Sequence, residues 1–221
     1  MSFNFHTHNK SKNNSLFNLR IGIDADMDEY PYYFSAGIHP WDIGSIDVPT
    51  NLLKLTSYLQ QENCIGLGEV GLDKVCGTDL DYQKKVFREQ LHIAHRSNTK
   101  VLIIHCVKSY QEIIEEKKQC PYEFKWVLHA FNGSEQLIQQ LIKHGFYFSL
   151  GEALLNPNFK ITKSASSIPL DRIFLETDES AIGIDKIYQK ASEIFEVDIH
   201  RLEKQIEKNI ELVFGINVLK T

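Results

Sequence analysis

Apolar positions gather in eight short runs along the chain. They are 3–8 (FNFHTH), 19–24 (LRIGID), 32–39 (YYFSAGIH), 64–73 (CIGLGEVGLD), 100–106 (KVLIIHC), 124–133 (FKWVLHAFNG), 145–151 (GFYFSLG) and 172–178 (RIFLETD). Several are continuously apolar rather than alternating, the pattern of parallel strands covered on both faces. Helical periodicity fills most of the gaps. Residues 51–62 carry a stripe of Leu52, Leu53, Leu55 and Leu59, and residues 79–97 place Val86, Phe87, Leu91 and Ala94 on one side. Residues 108–119 and 134–144 are helical by the same pattern, and the tail holds two further helices, 184–195 and 198–214, the second with Asp198 as its cap.

Strand followed by helix, repeated, predicts an α/β fold, and eight strands suggest a (β/α)8 TIM-like barrel. At 221 residues the chain is lean for that architecture. The saving falls early. Ten residues separate His8 from Leu19 and eight separate Asp24 from Tyr33, whereas a parallel crossover through a helix takes about a dozen or more. The barrel is therefore expected to be abbreviated or distorted in its first third, with an antiparallel strand at 19–24 as one way of closing so short a connection. No internal repeat or linker interrupts the pattern, so residues 1–221 read as one domain.

Composition narrows the class. Hydrophobic residues make up 43% and charged residues 24%, ordinary for a globular chain. A net charge of −5 and a pI near 6.0 advertise no basic face for tight non-specific binding of nucleic acid. Cys64, Cys76, Cys106 and Cys120 show no CxxC spacing and read as reduced thiols. With no signal-peptide pattern and no run near the roughly 18 apolar residues that span a bilayer, the expectation is a cytoplasmic protein without a membrane partner.

In such barrels the chemistry sits where strands end. The first run ends in His6-Thr7-His8, the fourth reaches Glu69, the fifth ends in His105, the sixth carries His129 and the eighth ends in Asp178. Side chains two apart on a strand share a face, so His6 and His8 point the same way. Any one of these residues alone reads as incidental; five strand ends carrying metal-ligand types do not. Four imidazoles and two carboxylates exceed what one tetrahedral ion takes, and suit two divalent ions sharing a carboxylate, which clamp and activate the oxygens of a hydrolytic displacement. Other candidates fall away. GLGEVG at 66–71 spells a dinucleotide-loop pattern but continues a strand with no helix opening. HIAH at 92–95 has no companion ligands and reads as a surface face. Cys106 reads as a packed thiol, facing away from the side His105 occupies.

The chain resembles the TatD family of metal-dependent deoxyribonucleases, amidohydrolase-like barrels. The resemblance rests on FHTH (5–8), SAGIHPWDI (35–43), IGLGEVGLD (65–73), QKKVFREQLHIA (83–94), VLIIH (101–105), VLHAFNGS (127–134), FYFSLG (146–151) and IPLDRIFLETD (168–178), in the family's order and over nearly the whole chain. It implies two divalent metal ions, Mg²⁺ or Mn²⁺ in the family, with Zn²⁺ also suited to imidazole-rich ligation. One would sit on His6, His8, Glu69 and Asp178. The other would share Glu69 and use His105 and His129, with Asp178 also orienting or deprotonating the attacking water. The implied activity is phosphodiester hydrolysis of DNA from an end. So compact a barrel can act alone, and a monomer is expected. The chain departs from the family at Asn4, where an Asp is usual, at Val107, where the family's H-x-R has its arginine, and after Asp178, where Glu179 and Ser180 replace x-Pro. Lys10, Lys12, Lys74 and Lys108 are candidate phosphate contacts and Trp41 a candidate stacking surface. The altered contacts keep open a hydrolase of a small phosphoester, lactone or amide on the same metal centre, and a non-catalytic barrel.

Overall fold

The computed structural model describes residues 2–9, 14–24 and 32–215. Its eight strands form one sheet in sequential order, and every strand pairing described is parallel. They are β1 (Asn4–Thr7), β2 (Ser15–Arg20), β3 (Phe34–Gly37), β4 (Cys64–Asp73), β5 (Val101–Val107), β6 (Lys125–Leu128), β7 (Tyr147–Leu150) and β8 (Ile173–Leu175). The helices are α1 (Val48–Tyr58), α2 (Leu80–Arg96), α3 (Tyr110–Gln119), α4 (Glu135–Lys143), α5 (Lys160–Ser164), α6 (Ile184–Phe195) and α7 (Ile199–Phe214). A parallel bridge between Thr7 and Asp178 sets the end of β1 beside the residues that follow β8. This is the (β/α)8 TIM-like class, and among the described residues no helix lies between β1 and β2 or between β2 and β3.

The chain divides into two compact units: residues 1–17 with 127–221, and residues 18–126. In the first, Phe5 of β1 stacks on Phe174 of β8 at 4.3 Å, and the buried Tyr188 of α6 donates its hydroxyl to the Phe3 carbonyl at 3.0 Å. Asn4 is buried and joined to Thr177 twice: its amide donates to the Thr177 hydroxyl at 2.7 Å, and its carbonyl accepts the Thr177 N–H at 2.9 Å. An acid at this position would bring no donor of its own. In the second unit, β4 is buried along nearly its whole length, as its unbroken apolar run requires. Two glutamines of α2, seven residues apart and so on one helical face, hold the ends of its neighbours. Gln90 accepts from the Ile38 N–H and donates to the Ile38 carbonyl at 2.7 and 3.1 Å; Gln83 does the same with Asp73 at 2.8 and 2.9 Å.

Several expectations shift. The second strand is Ser15–Arg20, not 19–24, and it is parallel to β1 rather than antiparallel. The strand stops because Gly22 turns with φ +89°, where a Cβ would meet the Asn51 side chain at 2.9 Å, and Ile23 emerges into solvent. The first helix spans Val48–Tyr58 rather than 51–62; of the leucine stripe Leu55 and Leu59 are buried as expected, whereas Leu53 is 73% exposed and Val48, Asn51 and Tyr58 complete the buried side. Between β7 and β8 the chain adds α5 and short 3₁₀ turns that no apolar period announces. The tail helices match, and the Asp198 carboxylate accepts the Arg201 N–H at 3.0 Å.

Asn4→Ala removes both hydrogen bonds and leaves the Thr177 N–H buried without its partner. It should lower unfolding free energy by about 2 kcal/mol, read by urea denaturation.

Candidate metal centre

Within the first unit, His6 and His8 of the β1 end lie beside Asp178. Both Nε2 atoms are 3.5 Å from the same Asp178 Oδ1. Asp178 adopts φ +52°, a left-handed conformation costly for a side chain with a Cβ. It is held there from three sides: its N–H donates to the His6 carbonyl, and its carbonyl accepts from the His8 N–H and the Thr7 hydroxyl. His129, just beyond β6, places its ring 4.7 Å from that of His6. Behind it lies Glu176, fully buried, whose Oε1 accepts the Ala130 N–H at 2.5 Å and stands 3.5 Å from His129 Nδ1.

Within the second unit the pattern recurs around Glu69, at 3% exposure. His105 Nδ1 is 2.6 Å and His39 Nε2 3.1 Å from Glu69 Oε1, and the two nitrogens are 3.2 Å apart. His39 Nδ1 accepts the Trp41 backbone N–H at 3.2 Å, which leaves Nε2 as its protonated nitrogen. Desolvation holds the His39 pKa below its ordinary value, although the hydrogen bond to Glu69 works the other way. The segment carrying these residues is pinned by a bidentate pair, Arg20 Nε and Nη2 to the Asp42 carboxylate at 3.1 and 2.6 Å. Gly71 permits the approach of β4 to β5: its φ is +150°, and a Cβ there would overlap the His105 carbonyl.

These donor sets fit divalent cations. With metal–ligand bonds of ~2.1 Å, neighbouring corners of a tetrahedron or octahedron lie ~3.0–3.4 Å apart, close to most of the separations seen around Asp178 Oδ1 and Glu69 Oε1. The atoms that converge are imidazole nitrogens and carboxylate oxygens, a set that Mg²⁺, Mn²⁺ and Zn²⁺ all accept to different degrees.

The structure thus gathers His6, His8, His129 and Asp178 in one unit, and Glu69 with His105 in the other. Two neighbours escaped the sequence reading. His39 ends the third run, one position past a Gly-Ile pair, and the rule applied to the other strand ends would have taken it. Glu176 stands just past β8, two residues before Asp178.

The substrate candidates differ among themselves. Trp41 is 54% exposed, with its indole N–H donated to Asp73 Oδ2 at 2.6 Å. Lys108 is exposed, at φ +53°. Lys74 is paired with Glu112 at 2.5 Å. Lys10 and Lys12 lie outside the described residues. Cys106 hydrogen-bonds Ser109, and burial pushes its thiol up to about 12, which suits a packed thiol rather than a nucleophile. His92 and His95 lie on the exposed side of α2 against Tyr122. No described helix is long and apolar enough to cross a membrane.

The family model for TatD-related DNase matches residues 23–215, so the chain belongs to the TatD-related DNase family. Its curated relatives include a TATDN1 homologue of Vairimorpha ceranae, 28% identical over 190 residues, which cover 81% of this chain and 67% of that one. The metal-dependent hydrolase YabD of Bacillus subtilis is 32% identical over 157 residues, 69% of this chain and 60% of its own. The human 3'-5' RNA nuclease TATDN2 is 35% identical over 130 residues, 56% of this chain and 17% of that protein. Among solved structures, the TatD homologue YjjV of Escherichia coli K12 has the same fold, with a TM-score of 0.78 at 19% identity over 91% of this chain and 86% of that one.

A His39 that is neutral in the fold but free to take a proton when unfolded stabilises the protein fully above its ordinary pKa near 6.5. That contribution is lost as pH falls through 6.5 and on through the lowered value. The metal-free protein should lose unfolding free energy over this range, and His39→Gln should flatten the slope, measured by urea denaturation at stepped pH.

Proposed function

We propose that this TatD-family metal-dependent hydrolase cleaves phosphodiester bonds at the ends of nucleic acid, with DNA as its principal substrate. The observation that carries the reading is the repeated convergence of two imidazoles on one carboxylate oxygen, at Asp178 Oδ1 and at Glu69 Oε1. The family's name and the nuclease name of the human relative supply the substrate class.

His6, His8, Glu69 and Asp178 would hold one divalent ion, and Glu69, His105 and His129 a second, with Glu69 shared. Mg²⁺ or Mn²⁺ is the expected metal. When bound, such ions supply positive charge that lowers the pKa of water and offsets negative charge gathering on phosphate oxygens. The chain's own groups do the rest. Asp178, partly exposed at 36% of its side chain, is placed to take a proton from the attacking water on its carboxylate. Trp41 offers an exposed indole face whose ring is fixed through Asp73, suited to stacking an unpaired terminal base. Lys108, with no arginine two residues after His105, is left as the exposed cation of that strand end. The protein is expected to act as a cytoplasmic monomer.

Incubation with Mn²⁺ and end-labelled single-stranded DNA and RNA, beside small phosphoesters, lactones and amides, tests the substrate. Shortening of DNA from one end is expected; turnover confined to the small-molecule panel would move the assignment to that class. Glu69→Ala should cut metal-dependent turnover at least about a hundredfold while circular dichroism stays that of the parent. Trp41→Ala should raise KM for a single-stranded oligonucleotide by about fivefold or more, in line with base–aromatic stacking of ~1–3 kcal/mol, with kcat little changed and Trp41→Phe close to the parent.

A further inference from the structure

We propose that Asp73, a carboxylate outside the ligand set, is a positioning residue that fixes the tautomer of His105, holding its hydrogen on Nε2 and turning the Nδ1 lone pair toward Glu69. The inference deepens the metal-centre reading above and rests on it for its metal-binding arm alone.

Asp73 ends β4 at 2% exposure, and four donors surround its two oxygens. Oδ1 accepts the backbone N–H groups of Val75 and Cys76 at 2.7 and 3.3 Å. Oδ2 accepts the Trp41 indole N–H at 2.6 Å and faces His105 Nε2 at 3.0 Å. A carboxylate offers about four lone-pair sites, so these partners use its capacity, and Asp73 has none left for an ion. Three of the four are obligatory donors. An ionised carboxylate donates nothing, so His105 Nε2 must carry the hydrogen in its own contact with Asp73. Burial opposes ionisation of Asp73, but the hydrogen bonds from Trp41, His105 and Val75 outweigh it and keep its pKa below the usual range.

The other ring nitrogen then carries a lone pair, and it lies 2.6 Å from Glu69 Oε1. A lone pair facing a carboxylate oxygen is the pairing that a divalent ion would satisfy. A carboxylate behind a ligating imidazole is how metal sites choose which nitrogen binds. The backbone of Asp73 is itself clamped, through both its N–H and its carbonyl, by Gln83. The orienting group is therefore as fixed as the ring it orients.

The decisive variant is Asp73→Asn. It is nearly isosteric, yet its amide must present a donor either to Val75 and Cys76 or to Trp41 and His105. Long-range ¹H–¹⁵N spectra of the metal-free protein at pH 8.5 read each imidazole nitrogen directly. In the parent, His105 should show a protonated Nε2 and a bare Nδ1. In Asp73→Asn that signature should be lost, and Mn²⁺ affinity by calorimetry should fall about 10–100-fold. Trp41→Phe, which removes a different donor from the same oxygen, should keep the His105 signature. If Asp73→Asn does not fold, Asp73→Ser carries the same two readings, because a hydroxyl both donates and accepts.

A protonated Nδ1 in the parent, or an unchanged signature with parent-like Mn²⁺ affinity in the variant, would overturn the proposal. A parent protein that binds no Mn²⁺ overturns the metal-centre reading instead, and the nitrogen spectra still decide the role of Asp73.

Discussion

A carboxylate withdrawn from water must be met by donors or by a cation, and the segments beyond the strand ends are organised around that requirement. Asp42 is met by the Arg20 guanidinium in two parallel bonds, and Asp73 by three N–H groups and an imidazole. Those two are settled, and they serve to hold chain segments in place. Glu69 and Asp178 are in a different position, because the groups converging on their oxygens include two imidazoles each. An imidazole is neutral over much of the physiological range, so it orders the oxygen without cancelling its charge. That difference separates the carboxylates that build the site from those that would work in it.

Much of this was legible in the sequence because buried parallel strands leave an unmistakable trace. Cys64–Asp73 could be read to the residue, since a strand covered on both faces must be apolar nearly throughout and its one internal charge, Glu69, stands out against that background, with Asp73 closing the run. α6 and α7 were equally plain from their periodicity and the Asp198 cap. β2 was misplaced because Leu-Arg-Ile-Gly-Ile looks as apolar as Ser-Leu-Phe-Asn-Leu, and only the turn at Gly22 decides between them. The leucines near α1 were right in part: Leu55 and Leu59 are buried, but Leu53 faces out, and Asn51 and Tyr58, which the covered side does bury, carry no hydrophobic flag. At the site, the residues with metal-ligand chemistry announced themselves, while Glu176 and Asp73 did not. A supporting carboxylate is defined by what it touches, and contact is not written in one strand.

Asn4 illustrates how a departure from a family pattern reads once its neighbours are known. Its amide gives and receives one hydrogen bond each with Thr177, tying the first strand to the segment beyond the last. The replacement of an acid there has a local, structural sense. The loss of the arginine after His105 has no such counterpart, since Lys108 sits one position on and in a left-handed turn. The side chains with metal-ligand chemistry are thus all present, whereas a forked cation near His105 is not.

The two glutamines of α2 have a consequence that reaches past their hydrogen bonds. Gln83 and Gln90 are two turns apart, roughly 10 Å along the helix, and each grips the backbone of a different strand end, one bearing Asp73 and the other leading into His39. The helix therefore behaves as a jig that sets the spacing between these two segments by its own rise. Replacing or shifting this outer helix would displace both segments at once. Grafting these loops onto another barrel would keep their spacing only if the jig travelled with them.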